Sequence, residues 1–462
     1  MVRMDTPGDS SKTYVLIAAT LGSFLSPFMG SAINLALPTI GDELGMDAVL
    51  LGWVATAYLI AAAVFLVPFG RLADIHGRKR VFTLGILVYT LASLLSALAN
   101  TAALLIGFRV LQGVGAAMMF GTGVAIVTSV FPLGERGRAL GINVAAVYVG
   151  LSVGPFVGGL LTEHFGWRSV FIANVPLGLA IFGLVVWKLK GEWAAARGET
   201  FDLRGALVYA ATLVLIMYGF SELPDLLGGM LVLGGVLTLV GFIWWEMRVA
   251  SPLLDIGLFR HNPVFAFSNL AALVNYAATF AIAFLLSLYL QYNKGLSPQY
   301  AGFVLVAQPV VQAIFSPIAG RLSDRFEPRI IASAGMALTV VGLALFALLT
   351  EGTSLPMIVG GLVLLGFGFA LFSSPNTNAV MSAVEPRFYG VASGTLATMR
   401  QIGMTLSMGI AMLLFAVYIG RVQITPEYYD LFLKSAKVAF VVFACMCFGG
   451  VFASLARGRV RR

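Results

Sequence analysis

Gly70-Arg71-Leu72-Ala73-Asp74 returns 250 residues later (324 − 74) as Gly320-Arg321-Leu322-Ser323-Asp324, with one small residue exchanged for another. Each copy lies between two long apolar stretches. Each is followed by more cations, Arg78, Lys79 and Arg80 after the first and Arg325 and Arg329 after the second. A basic turn recurring at corresponding places in two apolar halves points to an internal duplication. Duplicated membrane bundles of this kind rock against each other around a shared central site.

The surroundings of the repeat identify the solvent. The chain has 462 residues, of which 59% are apolar and 11% charged, whereas soluble domains carry about 25% charged residues. Apolar runs long enough to cross a bilayer, which takes about 20 residues, recur along nearly the whole length. Divided at the loop signals, they give fourteen predicted spans. The first six are at about 14–40, 49–70, 81–99, 102–127, 139–161 and 169–189, and two more at about 205–221 and 226–245. A second six lie at about 263–292, 299–319, 330–349, 355–381, 390–420 and 434–456. Six spans with short connections need about 200 residues, so the 250-residue offset leaves room for an inserted pair. The expected plan is an all-α polytopic membrane protein: a six-helix bundle in 1–190, a linker with two inserted helices in 191–262, and a second six-helix bundle in 263–462. The polar segment 188–204 is expected to end in a short amphipathic stretch.

A net charge of +8 would suit nucleic acid, but its distribution argues otherwise. Of the 29 Lys and Arg, 22 fall on one side of the predicted spans, five on the other, and two inside. That is the positive-inside pattern, which places both termini in the cytoplasm. The expected partner is the lipid bilayer, with no nucleic acid.

Enzyme chemistry finds little to work with. No acid lies in the central part of a predicted span, and His76, His164 and His261 are all expected in loops. No span offers an acid–base or nucleophilic pair. Cys445 and Cys447 sit inside the last span as apolar side chains. There is no Gly-Lys-Ser/Thr phosphate loop, so ATP is not expected to drive anything directly. No cofactor, metal site or catalytic residue is expected.

Several motifs carry a resemblance. They are the loop at 70–80, Arg109-Val-Leu-Gln112-Gly113 in the fourth span, and Gly150-x-x-x-Gly154-Pro155-x-x-Gly158-Gly159 in the fifth. Asn34-Leu-Ala-Leu-Pro38 and Gly166-Trp167-Arg168 add to them. In this order and spacing the chain resembles the major facilitator superfamily, and in particular its fourteen-helix drug:proton antiporter branch. The resemblance covers essentially the whole chain. It implies the major-facilitator fold, alternating access and multidrug-type efflux of a small lipophilic substrate, with the proton as the candidate coupling ion, in the cytoplasmic (inner) membrane of a prokaryote.

The gating residues expected on this basis are Gly70, Asp74, Gly77 and Arg78, their counterparts Gly320 and Asp324, and Gly150, Gly154, Pro155, Gly158 and Gly159 in the fifth span. Asp74 at the end of the second span is placed to bond a neighbouring helix N-terminus and Arg78, either as a latch between states or as a solvated turn. Gly150, Gly154 and Gly158, at i, i+4 and i+8, form a stripe for close helix packing, and Pro155 permits a bend. Within the superfamily this pattern implies export.

The expected substrate and coupling residues are polar groups at depth: Arg109 and Gln112, Asn34, Asn275, Gln308 and Gln312, Asn376, and Arg400. Asn378 belongs to the same set. An arginine about 10 Å (Arg109) or about 15 Å (Arg400) into a helix costs at least ~2.5 kcal/mol by insertion scales, so a function is expected of it. Arg109 either shares bonds with Gln112 or reaches the nearby surface. Arg400 either lines a cavity or pairs with helix-end carbonyls. One position departs from the pattern: Met29 stands where the antiporters carry an acid, and methionine cannot titrate. The charge set therefore favours neutral or anionic compounds over permanent cations. An uncoupled facilitator or uptake carrier is the alternative.

Overall fold

The computed structural model describes residues 9–194, 196, 198–249, 253, 256–385 and 389–458. Fourteen helical crossings in it are long and apolar enough to span a membrane, and no strand occurs among the described residues. The first half contains α1 (Asp9–Leu44), α2 (Ala48–His76), α3 (Arg78–Ala97), α4 (Ala102–Val130) and α5 (Leu133–Phe165). Its sixth crossing is broken into α6 (Arg168–Ile172) and α7 (Asn174–Lys188). The inserted pair is α8 (Leu203–Glu222) and α9 (Leu226–Glu246), and a short α10 (Ile256–His261) leads into the second half. There, two broken crossings, α11 (Pro263–Thr279) with α12 (Ala281–Tyr292) and α13 (Pro298–Leu305) with α14 (Ala307–Arg325), precede α15 (Pro328–Ala347), α16 (Leu355–Ser382), α17 (Tyr389–Tyr418) and α18 (Tyr429–Ala456).

Local sequence accounts for the ends and the breaks. Asp47, Thr101, Asp202 and Asn262 each accept the backbone N–H three residues on, capping α2, α4, α8 and α11. Two of the breaks have a proline four residues beyond the last helical residue, Pro176 after Ile172 and Pro309 after Leu305. A proline ring collides with the carbonyl four residues back and supplies no N–H to it. At the third break Ala281 N–H donates to Ser407 Oγ of α17 at 3.0 Å, so the freed group is satisfied within protein. α1 and α18 run several residues past the spans expected from hydropathy, because their ends carry polar turns that a hydropathy window cannot see. Within 189–199 no helix occurs among the described residues. The short extra helix is α10, in the other linker.

The duplication is expressed in packing. In the first half α1 packs on α5, α2 on α4, and α3 on both α4 and α7. The second half repeats this with α11 on α17, α14 on α16, and α15 on both α16 and α18. The halves meet away from the basic loops. Ser287 Oγ donates to Asn34 O at 2.7 Å, and Gln291 Nε2 to Leu35 O at 3.3 Å. Glu163 accepts from Ser297 Oγ at 2.6 Å and from Gln299 N–H at 3.0 Å. Ala48 N–H donates to Val422 O at 2.9 Å. Toward the basic face, α4 and α16 pack within their own halves. The inserted pair sits over the seam: Tyr209, Leu213 and Met217 of α8 pack with Ile60, Ala63 and Val64 of α2, beside Ile402 and Leu406 of α17.

Candidate functional site

The first basic loop is built around Arg78. Its guanidinium holds Asp74 at 2.7 Å and crosses to α4, donating to Ala125 O at 3.1 Å and Ser129 Oγ at 2.5 Å. All of these partners belong to the first half. The described residues of 189–199 lie across the same loop like a strap. Arg78 N–H donates to Trp193 O at 2.8 Å, and Ala196 N–H to Asp74 O at 2.9 Å. Lys79 N–H donates to Glu192 at 2.7 Å, and Arg71 pairs with Glu199 at 2.5 Å. Gly77 has φ +121°, a backbone conformation that favours glycine, and the Glu192 carboxyl group packs against it. In the second copy Gly320 receives Ser323 Oγ on its carbonyl at 2.7 Å, and Asn378 of α16 donates to the same hydroxyl at 2.9 Å. The Asp324 side chain lies outside the described residues. Both copies are thus tied to the helix two crossings on, by Arg78 in one half and by Asn378 in the other.

The α5 stripe packs on α1. A Cβ at Gly150 or Gly154 would sit 2.8 Å from the Phe24 or Phe28 carbonyl oxygen, and one at Gly158 2.6 Å from Ala32 Cα. Gly159 faces the other half instead: its Cβ would lie 2.9 Å from Gln299 Cα, while Gly302 of α13 meets the Pro155 carbonyl. The motif therefore serves two close backbone contacts, one within a half and one between halves.

Arg109 and Gln112 are fully buried inside the first half. Arg109 Nε donates to Val54 O at 2.8 Å, Nη1 to Gln112 Oε1, and the guanidinium lies 4.5 Å from the Tyr58 ring centre. Gln112 Nε2 passes the chain on to Ser93 Oγ at 2.6 Å. Asn376 is likewise engaged within the second half, donating to Ser268 O at 3.1 Å and accepting from Arg457 at 3.0 Å. Met29 is buried against Asn174 of α7, whose Nδ2 lies 3.2 Å from its sulfur. Asn275 is buried with neither side-chain polar atom bonded. Asn34 and Gln312 are buried, and Gln308 is half-buried, its carbonyl set against Gly366 of α16.

Arg400 is different. It remains partly exposed, within the apolar span of α17. Its Nη2 donates to Thr377 Oγ1 at 2.6 Å, and its guanidinium stands 5.6 Å from the Tyr276 ring centre. Its Nε is buried with no partner. Tyr276 meets Phe369 edge-on at 5.2 Å and lies within electrostatic reach of Tyr148, from α5 of the opposite half. The cluster thus draws on α11, α16 and α17 of one half and α5 of the other.

Sequence reasoning missed Arg457, which reads as part of a basic tail. It is buried at the end of α18, donating to Ser454 O at 2.7 Å, to Ser268 Oγ at 3.3 Å and to Asn376. Burial pushes its guanidinium down to about 10. A signal was present: Cys447, Gly450, Ser454 and Arg457 follow at i, i+3, i+7 and i+10, one helical face.

The description "Major Facilitator Superfamily" matches residues 19–267 and again 268–461, once for each half. The chain belongs to the Major Facilitator Superfamily. Its fourteen crossings and its exporter relatives are consistent with the fourteen-helix drug:proton antiporter branch. It is 32% identical to the riboflavin transporter RibZ of Clostridioides difficile over 95% of this chain and 96% of that one. It is 35% identical to the cephamycin export protein CmcT of Amycolatopsis lactamdurans (93% and 91% covered). With the multidrug resistance protein Stp of Mycobacterium tuberculosis it shares 32% (86% and 74% covered). Among solved structures, a bacterial homologue of the lysosomal transporter Spinster superposes with a TM-score of 0.69 over 98% of both chains at 17% identity. A peptide transporter of the same fold gives 0.70 over 94% of this chain and 93% of that one at 15% identity. This superfamily member is a membrane transporter.

Proposed function

We propose that this transporter is a secondary-active exporter of small lipophilic compounds, working by alternating access and driven by proton exchange. The rocking bodies are 1–190 and 263–462, with 191–262 riding on the seam. The basic face is cytoplasmic, as the 22 Lys and Arg on that side support, and the bacterial relatives support the inner membrane of a prokaryote. The state described here is then inward-facing, closed outside by Glu163, Ser297, Asn34 and Ser287.

The observation that carries the reading is the division of contacts. Hydrogen bonds join the halves on the outer side, while the loop latch of Asp74 and Arg78 is bonded within its own half. A transporter waiting for cytoplasmic substrate needs that arrangement. The glycine motif of α5 and relatives named for cephamycin export and multidrug resistance support the direction.

A second reading, an uptake carrier or uncoupled facilitator, has its own support. Met29 leaves no titratable group at its position, and the relative named for riboflavin is called a transporter, not an exporter. The test is uptake of paired neutral and anionic dyes into inside-out proteoliposomes with an acid interior, against protein-free liposomes. Accumulation above equilibrium that collapses with the gradient is the expected result. Simple equilibration would replace the exporter with the facilitator.

A further inference from the structure

We infer that Arg400 anchors the acidic group of an aromatic substrate, with Tyr276 and Tyr148 holding its ring system; this rests on the transporter reading above and names its substrate class.

Three arginines are embedded in the apolar body of the protein, and their surroundings differ. Arg109 has a carbonyl, an amide oxygen and the face of Tyr58 around it. Arg457 has Ser454, Ser268 and Asn376. Each of these is a closed structural knot inside one half. Arg400 makes a single hydrogen bond, to the neutral Thr377 hydroxyl, and its Nε is buried without a partner. No salt bridge reaches it among the described residues. A cation held at mid-membrane without an anion is costly unless function requires it. The missing counter-ion is therefore supplied by what binds, and a carboxylate suits the planar donor fork of arginine.

The rest of the cluster specifies the body of that ligand. Tyr276 lies beside the guanidinium and is braced edge-on by Phe369, so a second flat group finds an apolar, polarisable wall there. Tyr148 comes from α5 in the opposite half. A ring between the two tyrosines touches both rocking bodies, so its binding differs between the two states, as any ligand that shifts the equilibrium must. A permanent cation is repelled by Arg400 and meets no acid there among the described residues.

The test uses the full-length protein in lipid nanodiscs with three probes of equal ring size: 1-pyrenebutyrate, its methyl ester, and a pyrenylbutyl trimethylammonium. Empty nanodiscs provide the background. The wild type is expected to bind the acid about tenfold or more tighter than the ester, the gain of a charge-assisted bond over a neutral one, and the cation weakest. Arg400→Gln should erase the preference for the acid and leave ester binding within about twofold, while Arg400→Lys keeps part of it. Equal binding of acid and ester by the wild type, or no binding of either, would overturn the assignment, as would an acid preference that survives Arg400→Gln. The wild-type comparison needs no variant, so the assignment stands or falls on it even if Arg400→Gln misfolds. Vesicle accumulation separates the two claims. Accumulation of ester without acid preference removes the anchor and keeps the exporter, and acid-selective binding without accumulation does the reverse.

Discussion

Gly154 carries a large structural demand for the smallest side chain. A Cβ there would sit 2.8 Å from the Phe28 carbonyl oxygen, and Gly30, on the neighbouring stretch of α1, has nothing within 4 Å of the corresponding point. Gly154→Ala is therefore expected to destabilise the protein by about 1–3 kcal/mol through overpacking. Gly30→Ala should leave it unchanged or slightly stabilised, since alanine favours helix. Thermal unfolding of the two purified variants in nanodiscs checks this, and equal midpoints would remove the α1–α5 packing role. At this scale legibility was uneven. A glycine stripe or a charge inside an apolar run stands out in sequence, so Arg109 and Arg400 were visible, but which neighbours each meets depends on helix rotation. Arg109 turned toward α2, and Arg400 toward Thr377 of α16 and Tyr276 of α11. Arg457 was hidden because it stands at the border of span and tail, where hydropathy changes sign and position alone does not say which side claims the residue.

Elements are placed by signals of very different range. The fourteen crossings follow from apolar length, and two of the three helix breaks follow from Pro176 and Pro309. The strap at 189–199 could not be read, because it is held by backbone groups of Trp193 and Ala196 together with Glu192 and Glu199, and polar loop residues show no periodicity. It clamps the end of α2 and the start of α3 in the state described here. Exposed ion pairs contribute only about 0–1 kcal/mol each, so Glu192→Ala should barely move the midpoint of unfolding. It should instead loosen the strap locally and speed trypsin cleavage after Lys188 and Lys190 in native protein. Unchanged cleavage with Glu192→Ala would mean that the backbone bonds hold the strap by themselves.

Across the whole molecule, the duplicated loop announced two halves, and the packing repeats pair for pair in both. The conformational state was not legible, since under the proposed alternating access one sequence encodes both the closed and the open form of each gate. In the alternating-access cycle proposed above, contacts such as Glu163 with Ser297 form between surfaces that separate in each turnover. The most direct measurement is therefore a reversible lock on that gate. With Cys445 and Cys447 replaced, Glu163→Cys and Ser297→Cys would be introduced together and oxidised in inside-out proteoliposomes. Substrate accumulation is expected to fall to the level of protein-free vesicles on oxidation and to return on reduction, with each single-cysteine variant unaffected. Undiminished accumulation by fully cross-linked protein would contradict alternating access through this gate.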